Sequence, residues 1–469
     1  MALDVKVFES IVPSRFLSFT IPRPDLRLRL LRVAVLDSPF PLRGPSQVAA
    51  LFVPLNRESD WIFSTEAGHL QLLLSFPGIS RLVLVGRNPT ADDPDSSPVT
   101  CYDESQGIQF LEKLRSMLKP LLEALSLKTD GAGGLENGFA DVPICEYVDN
   151  VISRRVLTTS VGEFVGEMLV EDVELEMEHT SSEFDENHGS NRDFRRRLRF
   201  KRMPNLVQTE IRLIPALVSS SSVEIGENVS LKPDCGVLVQ HYFVAMVASL
   251  SLIANCIETQ IRNGLRPKAL CLGIGGGALL SFLRSQLGFQ VCGVEMDKEV
   301  LRIAKQYFGL DDNEITIHVG DAFDYVDELA GVRKQSSDGK EKSCLIESGS
   351  FDVVLVDLDS SDAWNGITAP PVEFLERHTV FAARSILAES GILVVNVVPS
   401  IRLVYDDLIQ QCREIFSELY EIDVGNGENF ILVAKVSPVL SSADDSRNAF
   451  SDKLKNLISG KYLDSIRKI

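Results

Sequence analysis

Three glycines and a glutamate stand at spacings that suit a nucleoside ligand. Gly273, Gly275 and Gly277 lie in the run KALCLGIGGGALL, directly after an apolar segment, and Glu295 follows Gly273 by 22 residues at the end of a second apolar segment. Glycine lets a chain turn tightly after a strand and bring its backbone close to a ligand with no Cβ in the way. A carboxylate about 20 residues further on is placed to hold both hydroxyls of an adenosine ribose. Met296 is expected beside it. Three more acids follow. Asp321 stands in Gly320-Asp321-Ala322 after a third apolar segment, where it and Ala322 would meet an adenine amino group. Asp357 and Asp359 end a fourth, FDVVLVDLDS, at alternate positions that point the same way. Such a pair suits a positively charged sulfonium ligand or an amine nucleophile; a simple loop cap is the bland reading of Asp359.

The glycine turn by itself does not separate two cofactors, because GIGGGA also satisfies the dinucleotide fingerprint G-x-G-x-x-G/A. The acids after the third and fourth segments favour S-adenosylmethionine over a nicotinamide dinucleotide.

The elements that position these residues can be counted. Strands are expected at Ala269–Leu272, Val291–Val294, Ile315–Val319, Val353–Val356 and Ile392–Val397, with helices at Lys298–Tyr307, Val372–Leu387 and Leu403–Phe416. Strands alternating with helices make right-handed βαβ units and a parallel sheet. Leu419–Val424 and Phe430–Val436 flank Gly425-Asn426-Gly427, which fits a hairpin and an antiparallel end to the sheet. A doubly wound sheet ending in such a hairpin is the expected α/β class, a class I methyltransferase Rossmann-like fold.

Upstream, strands are expected at Leu31–Leu36, Val48–Val53 and Ser80–Gly86, and helices at Gly68–Phe76 and Gln106–Leu127, with loops at the GAGG run 131–134 and at Ser219–Ser222. Arg155–Val161 and Phe164–Val170 read as short strands. Residues 171–191 read as an acidic loop, facing cations on the strand that contains FRRRLRFKR (194–202); a nucleic-acid patch is the other reading of that cluster. Lys334–Ser350 reads as a surface loop. Four segments follow: an α/β supporting region over 1–142, a β-rich segment over 143–235, an S-adenosylmethionine-dependent domain over 236–437 and a C-terminal helical tail over 438–469. The first 230 residues lack a glycine fingerprint and are expected to support or recognise substrate.

With 469 residues the chain holds two or three domains. A net charge of −19 argues against bulk-charge binding to nucleic acid or to an anionic membrane and favours a basic partner. Eight cysteines without a CxxC pair or metal-ligand spacing fit reduced thiols and no metal. No apolar run reaches the roughly 18 residues that span a bilayer. The N-terminus carries Asp4, Glu9 and Asp25, unlike a targeting peptide, so a cytoplasmic location is expected.

GIGGG, VEMD, GDAFDYV, FDVVLVDLDSSD, Pro370-Pro371 and NGENFILV together resemble the C-terminal half of the methyltransferase-like protein thirteen family. RVAVLDSP (32–39), RESDWIFSTEAG (57–68), RLRFKRMPNLVQTEIRL (197–213) and QHYFVAMVA (240–248) extend the resemblance to that family's middle region, so that it covers nearly the whole chain. It implies methylation of the N-terminal α-amine of translation elongation factor 1-alpha. The family's N-terminal lysine methyltransferase domain has no counterpart in these residues, so lysine methylation is not implied. By the same resemblance Asn429 is a pocket residue beside Asp359, and these two are the candidate catalytic residues. Gln240 and His241 are placed at the amino-acid end of the cofactor, with a structural histidine as the other reading. The chain is also similar to spermidine synthases, whose GGGDG motif has its aspartate where Gly276 stands. An aminopropyltransferase, or a non-catalytic adenosyl-binding scaffold, are the alternatives.

Overall fold

The computed structural model describes residues 5–23, 30–40, 47–88, 99–101, 116–127, 142–176, 192–215, 231–311, 313–331, 351–360, 367–399, 401–425, 427–438, 448–458 and 460–469. These form two compact units. The first comprises residues 1–159, 166–207 and 216–230; the second comprises 160–165, 208–215 and 231–469. Compact packing therefore does not follow the expected boundary at 142, and the C-terminal tail is counted with the second unit.

In the first unit, β1 (Phe16–Pro22), β2 (Leu30–Asp37), β3 (Gln47–Phe52), β4 (Ile79–Arg87) and β6 (Ile144–Cys145) form one sheet in the order β1-β2-β4-β3-β6, and β5 (Val99–Cys101) lies outside it. Val33, Val35, Val83 and Val85 pack on one face with Leu118, Leu122 and Leu125. Ala34, Leu36, Leu82 and Leu84 pack on the other with Ile62, Phe63, Leu72 and Leu73. Burial on both faces explains why β2 and β4 read as unbroken apolar runs instead of alternating ones. The helix Glu66–Ser75 lies where expected. Of Gln106–Leu127 only 116–127 is described, helical to 124. The 131–134 and 219–222 runs and 334–350 lie outside the described residues.

A second layer runs β5-β7-β8-β9, with β7 (Val151–Gly162), β8 (Gly166–Glu176) and β9 (Arg192–Phe200). The expected loop over 171–191 is corrected in its first part: residues 171–176 complete β8 and pair with β9, while 177–191 lie outside the described residues. Low hydrophobicity misled because the strand's acids are buried by ion pairing. Glu171, Asp172 and Glu174 are 2%, 6% and 3% exposed. Across the ladder, Arg196 reaches Asp172 at 2.7 Å and Arg199 reaches Glu171 at 2.9 Å. Residues 194–200 of the FRRRLRFKR cluster thus lie on a strand whose Arg195, Arg196 and Arg199 meet acids of the same chain. Asp60 is nearly fully buried against Arg57, Arg154 and Arg199. Burial alone would raise its pKa, but the three guanidiniums hold its carboxyl far below the usual carboxylate range.

In the second unit, β10 (Val207–Pro215) and β11 (Leu231–Pro233) pair antiparallel. Next come β12 (Lys268–Leu272), β13 (Gln290–Glu295), β14 (Thr316–Val319), β15 (Phe351–Val356), β16 (Ile367–Ala369), β17 (Leu387–Pro399), β18 (Glu418–Gly425), β19 (Asn429–Lys435) and β20 (Arg467–Lys468). The main order is β14-β13-β12-β15-β17-β19-β18-β20. β14, β13, β12, β15 and β17 are parallel, and β19 and β18 close the sheet antiparallel. This is the expected class I methyltransferase fold with its terminal hairpin.

The helices His241–Ala248, Ala254–Arg262 and Ala278–Ser285 cover one face. Ala322–Leu329, Arg377–Ser385 and Arg402–Ile415 cover the other. The expected helix over 372–387 is shorter: a single 3-10 turn Val372–Leu375, extended Glu376, then Arg377–Ser385, after which Leu387 already begins β17. Pro371 cannot continue a helix backwards, and Glu376 at ψ 134° breaks the path. The tail is not purely helical, because β20 adds a strand beside β18. The helical stretch His241–Arg262 is long and apolar enough to cross a membrane, which corrects the sequence reading; in the fold most of its apolar part is buried inside the protein.

Candidate functional site

The site is assembled at the carboxyl edge of the parallel sheet of the second unit, where open α/β sheets hold their ligands. At the end of β12, Gly273, Gly275 and Gly277 all adopt left-handed φ of 88°, 52° and 80°. Gly273 also needs its missing Cβ: one placed there would lie 2.1 Å from the Asp357 carbonyl oxygen. Gly276 donates its N–H to Thr209 Oγ1 at 2.7 Å, and a Cβ on it would sit 2.6 Å from Thr209 Cγ2. The position that carries aspartate in spermidine synthases has no room for one here.

Glu295 closes β13 and is 9% exposed. Its carboxylate accepts from the N–H of Ile274 at 3.2 Å, of Gly275 at 3.4 Å and of Asp297 at 3.0 Å. It therefore braces the glycine turn as well as facing the edge. Burial raises its pKa, the three N–H groups oppose this, and the nearby Asp359 charge adds to the rise. Met296, beside it, is 41% exposed at the edge. The pairing of Glu295 with Val319 brings Asp321 to the same edge. There Asp321 caps the helix Ala322–Leu329, its Oδ1 accepting from Phe323 and Asp324 N–H at 2.8 and 3.0 Å. Ala322 is buried beneath it.

Asp357 is held by two side chains. Asn396 Nδ2 donates to its Oδ1 at 3.0 Å, and the Tyr242 hydroxyl donates to its Oδ2 at 3.3 Å. Tyr242 in turn accepts from Gln240 Nε2 at 3.4 Å, and Gln240 Oε1 accepts from the Glu210 N–H at 3.0 Å. Asp359 is half-buried, and its charge is felt by Glu295, Asp357 and Tyr242, so three carboxylates converge on one edge. Asn429 begins β19 and is half-buried. Val353 and Leu355, Ile392 and Val394, and Ile431 and Val433 all belong to the core face under His241–Ala248. By the pleat, Asp357, Asn396 and Asn429 continue those three rows. His241 is exposed and its ring packs 6.2 Å from that of Tyr462; its neighbour Tyr242 is the residue that reaches the site.

Sequence reasoning therefore missed Tyr242, Thr209 and Asn396. Asn396 carries a legible signal, as the single polar residue in ILVVNVV (392–398). Thr209 carries none, since its role exists only through its contact with Gly276.

Burial lifts the Asp357 carboxyl to about 6; the Asn396 hydrogen bond opposes this, Asp359 adds to it, and Tyr242 opposes it again. The folded state thus binds this proton more tightly than the unfolded chain does. This group's contribution to stability is fully present below the unfolded carboxylate pKa and is lost as pH rises from about 4 to about 6. Asp357→Asn removes that dependence. Thermal unfolding of the ligand-free protein should show the variant more stable than the parent at pH 7.5, by up to roughly 2 kcal/mol, and no more stable at pH 4. A variant less stable at both values would contradict this account.

A cavity of about 380 Å³ lies in the first unit, lined by residues that include Arg57, Asp60, Tyr147, Arg154, Glu171 and Arg199. Its charges are largely matched with one another.

No protein-family model matches the chain. It is 24% identical over 426 residues to the human eEF1A lysine and N-terminal methyltransferase, covering 86% of this chain and 53% of the relative. The Xenopus laevis protein of the same name is 26% identical over 429 residues, covering 86% and 52%. The Drosophila melanogaster homolog is 28% identical over 378 residues, covering 80% and 47%. The chain spans about half the length of the curated relatives it matches. Among solved structures, human Methyltransferase-like protein 13 in complex with SAH is 25% identical, with a TM-score of 0.38, covering 46% of this chain and 92% of that one. A probable spermidine synthase from Corynebacterium glutamicum is 15% identical, with a TM-score of 0.40, covering 63% and 86%. The chain is thus similar over four-fifths or more of its length to proteins named eEF1A lysine and N-terminal methyltransferase, and its second unit has the class I methyltransferase fold.

Proposed function

We propose that the protein is an S-adenosylmethionine-dependent methyltransferase acting on a protein N-terminal α-amine, that of translation elongation factor 1-alpha. The observation that carries this reading is the convergence of Glu295, Asp357 and Asp359 at the sheet edge beside the glycine turn. The residues fit the cofactor: Gly273, Gly275 and Gly277 give a close backbone approach, Glu295 and Asp321 stand at the nucleoside side, and the acid pair complements a cation. Bound S-adenosylmethionine supplies a methyl group already activated on a sulfonium. The protein's part is mainly to hold the nucleophile in place. An α-amine has a reference pKa near 8, against about 10.4 for lysine, so a neutral fraction exists without a strong base. Asp359 draws in the charged amine and orients it, and Asn429 hydrogen-bonds the substrate. A net charge of −19 suits a basic protein substrate.

The spermidine synthase alternative is disfavoured by Gly276, which abuts Thr209 where that motif needs an acid. Calorimetry with S-adenosylmethionine, S-adenosylhomocysteine and NAD tests the cofactor. Mass spectrometry of the factor's N-terminal peptide, with and without enzyme, tests the acceptor. Methyl groups on the α-amine and no spermidine from decarboxylated cofactor plus putrescine are expected. Tight NAD binding with no adenosyl response, or methyl groups on internal lysines only, would overturn the reading.

A further inference from the structure

Resting on the amine-methylation reading above, we propose that Asn396 is a second binding residue for the acceptor nitrogen, its amide oxygen taking one N–H beside that of Asn429, so that the pair selects a nitrogen rich in N–H donors over an oxygen nucleophile.

Asp357 is fully engaged by neighbouring side chains. Each of its carboxylate oxygens already has a protein donor, Asn396 on one and Tyr242 on the other. Asp357 is therefore a holder, and what it holds is the Asn396 amide. The orientation of that amide is fixed by chemistry, because a flipped amide would set its carbonyl oxygen against a carboxylate oxygen. With Nδ2 committed to Asp357, Oδ1 must face elsewhere. Asn396 is only 6% exposed, yet this oxygen accepts no hydrogen bond from any described residue. Asn429 Oδ1 is in the same condition. Buried acceptors are nearly always satisfied, so two unpartnered amide oxygens at one sheet edge ask for an explanation.

They share a face. Asn396 pairs with Ile431 and Val397 with Phe430, so Asn429, two residues before Ile431, projects on the same side as Asn396 one diagonal step along the ladder. Both unpartnered atoms are acceptors, which defines the complement. An ammonium offers three N–H donors and a neutral primary amine two, while a hydroxyl offers one and a carboxylate or phosphate none. The half-buried Asp359 adds negative charge to the same edge, favouring the charged amine on arrival.

The test uses the full chain saturated with S-adenosylhomocysteine, and calorimetry with two hexapeptides. One is the N-terminal hexapeptide of elongation factor 1-alpha. The other is identical except that a hydroxyl replaces the α-amine. The parent protein should prefer the amine by about tenfold or more. Asn396→Leu should erase most of that preference while keeping S-adenosylhomocysteine affinity within about threefold. Tyr242→Phe also strips Asp357 of a donor but leaves both amide oxygens, so the amine preference should survive it. Asn396→Ala replaces the leucine variant should circular dichroism show that leucine misfolds. Loss of both peptides alike, or an unchanged preference in the Asn396 variants, overturns the proposal and leaves the methyltransferase reading standing. A parent chain that binds no adenosyl ligand overturns that broader reading, and the amine pair with it, before any variant is made.

Discussion

Asp359→Ala should reduce methyl transfer to the N-terminal peptide by about 100-fold or more while S-adenosylhomocysteine binds within a few-fold of the parent. The asymmetry follows from the task the protein performs. The methyl group arrives activated, so rate depends on holding the amine at attack distance, and misplacement of a nucleophile costs on the order of 100-fold. Asp359 is placed to do this: it is half-buried and two residues past Asp357 at the strand end. Its negative charge acts on Glu295, Asp357 and Tyr242. The backbone of the glycine turn, which would carry the adenosyl ligand, does not depend on it. Asn429→Ala should show the same split, because its oxygen has no described protein partner to lose. Single-turnover transfer measured beside calorimetry reads both quantities. An Asp359→Ala protein that transfers methyl groups at the parental rate would remove Asp359 from the mechanism. Equal losses in rate and adenosyl affinity would make it a cofactor residue instead.

The second large effect is expected at Gly273→Ala, which should destabilise the protein by about 2–4 kcal/mol and weaken adenosyl binding at least tenfold. Two costs add. At φ 88° an L side chain is strained, worth roughly 1–2 kcal/mol. The new Cβ would also lie 2.1 Å from the Asp357 carbonyl oxygen, a backbone atom that cannot swing aside. Relief is blocked from both sides, since Gly273 N–H donates to Val294 O at 3.0 Å and Asp357 N–H donates to Leu272 O at 2.9 Å. The three strands that form the site would have to separate. Gly288→Ala is the control: it has a similar φ of 76° but nothing within 4 Å of the added carbon. It should lose only the strain component and keep adenosyl affinity. Matching melting temperatures and affinities for the two variants would show that the collision with Asp357 has no consequence.

Local pattern determined much of this protein. Five parallel strands, the closing hairpin and the glycine turn were legible because each depends on near neighbours: apolar runs of strand length, glycine where φ must be positive, glycines at the hairpin turn. The acids Glu295, Asp321, Asp357 and Asp359 were legible too, since a strand end in an open α/β sheet puts its residues at one edge. Elements governed by contacts across the chain were not legible in this way. Residues 171–176 looked like a loop because their acids have no local partner; the partners are arginines about 25 residues on, brought opposite by antiparallel pairing. The helix after Pro371 looked longer because its apolar spacing runs on into β17, whose own packing claims Leu387. His241 was expected at the amino-acid end of the cofactor, yet it is its helix neighbour Tyr242 that reaches Asp357. Only the tertiary structure decided that Thr209 blocks Gly276, and that Asn396 and Asn429 share a face. Those relations join residues 67 and 33 positions apart, and no periodicity along one chain encodes which distant side chain fills the space beside another.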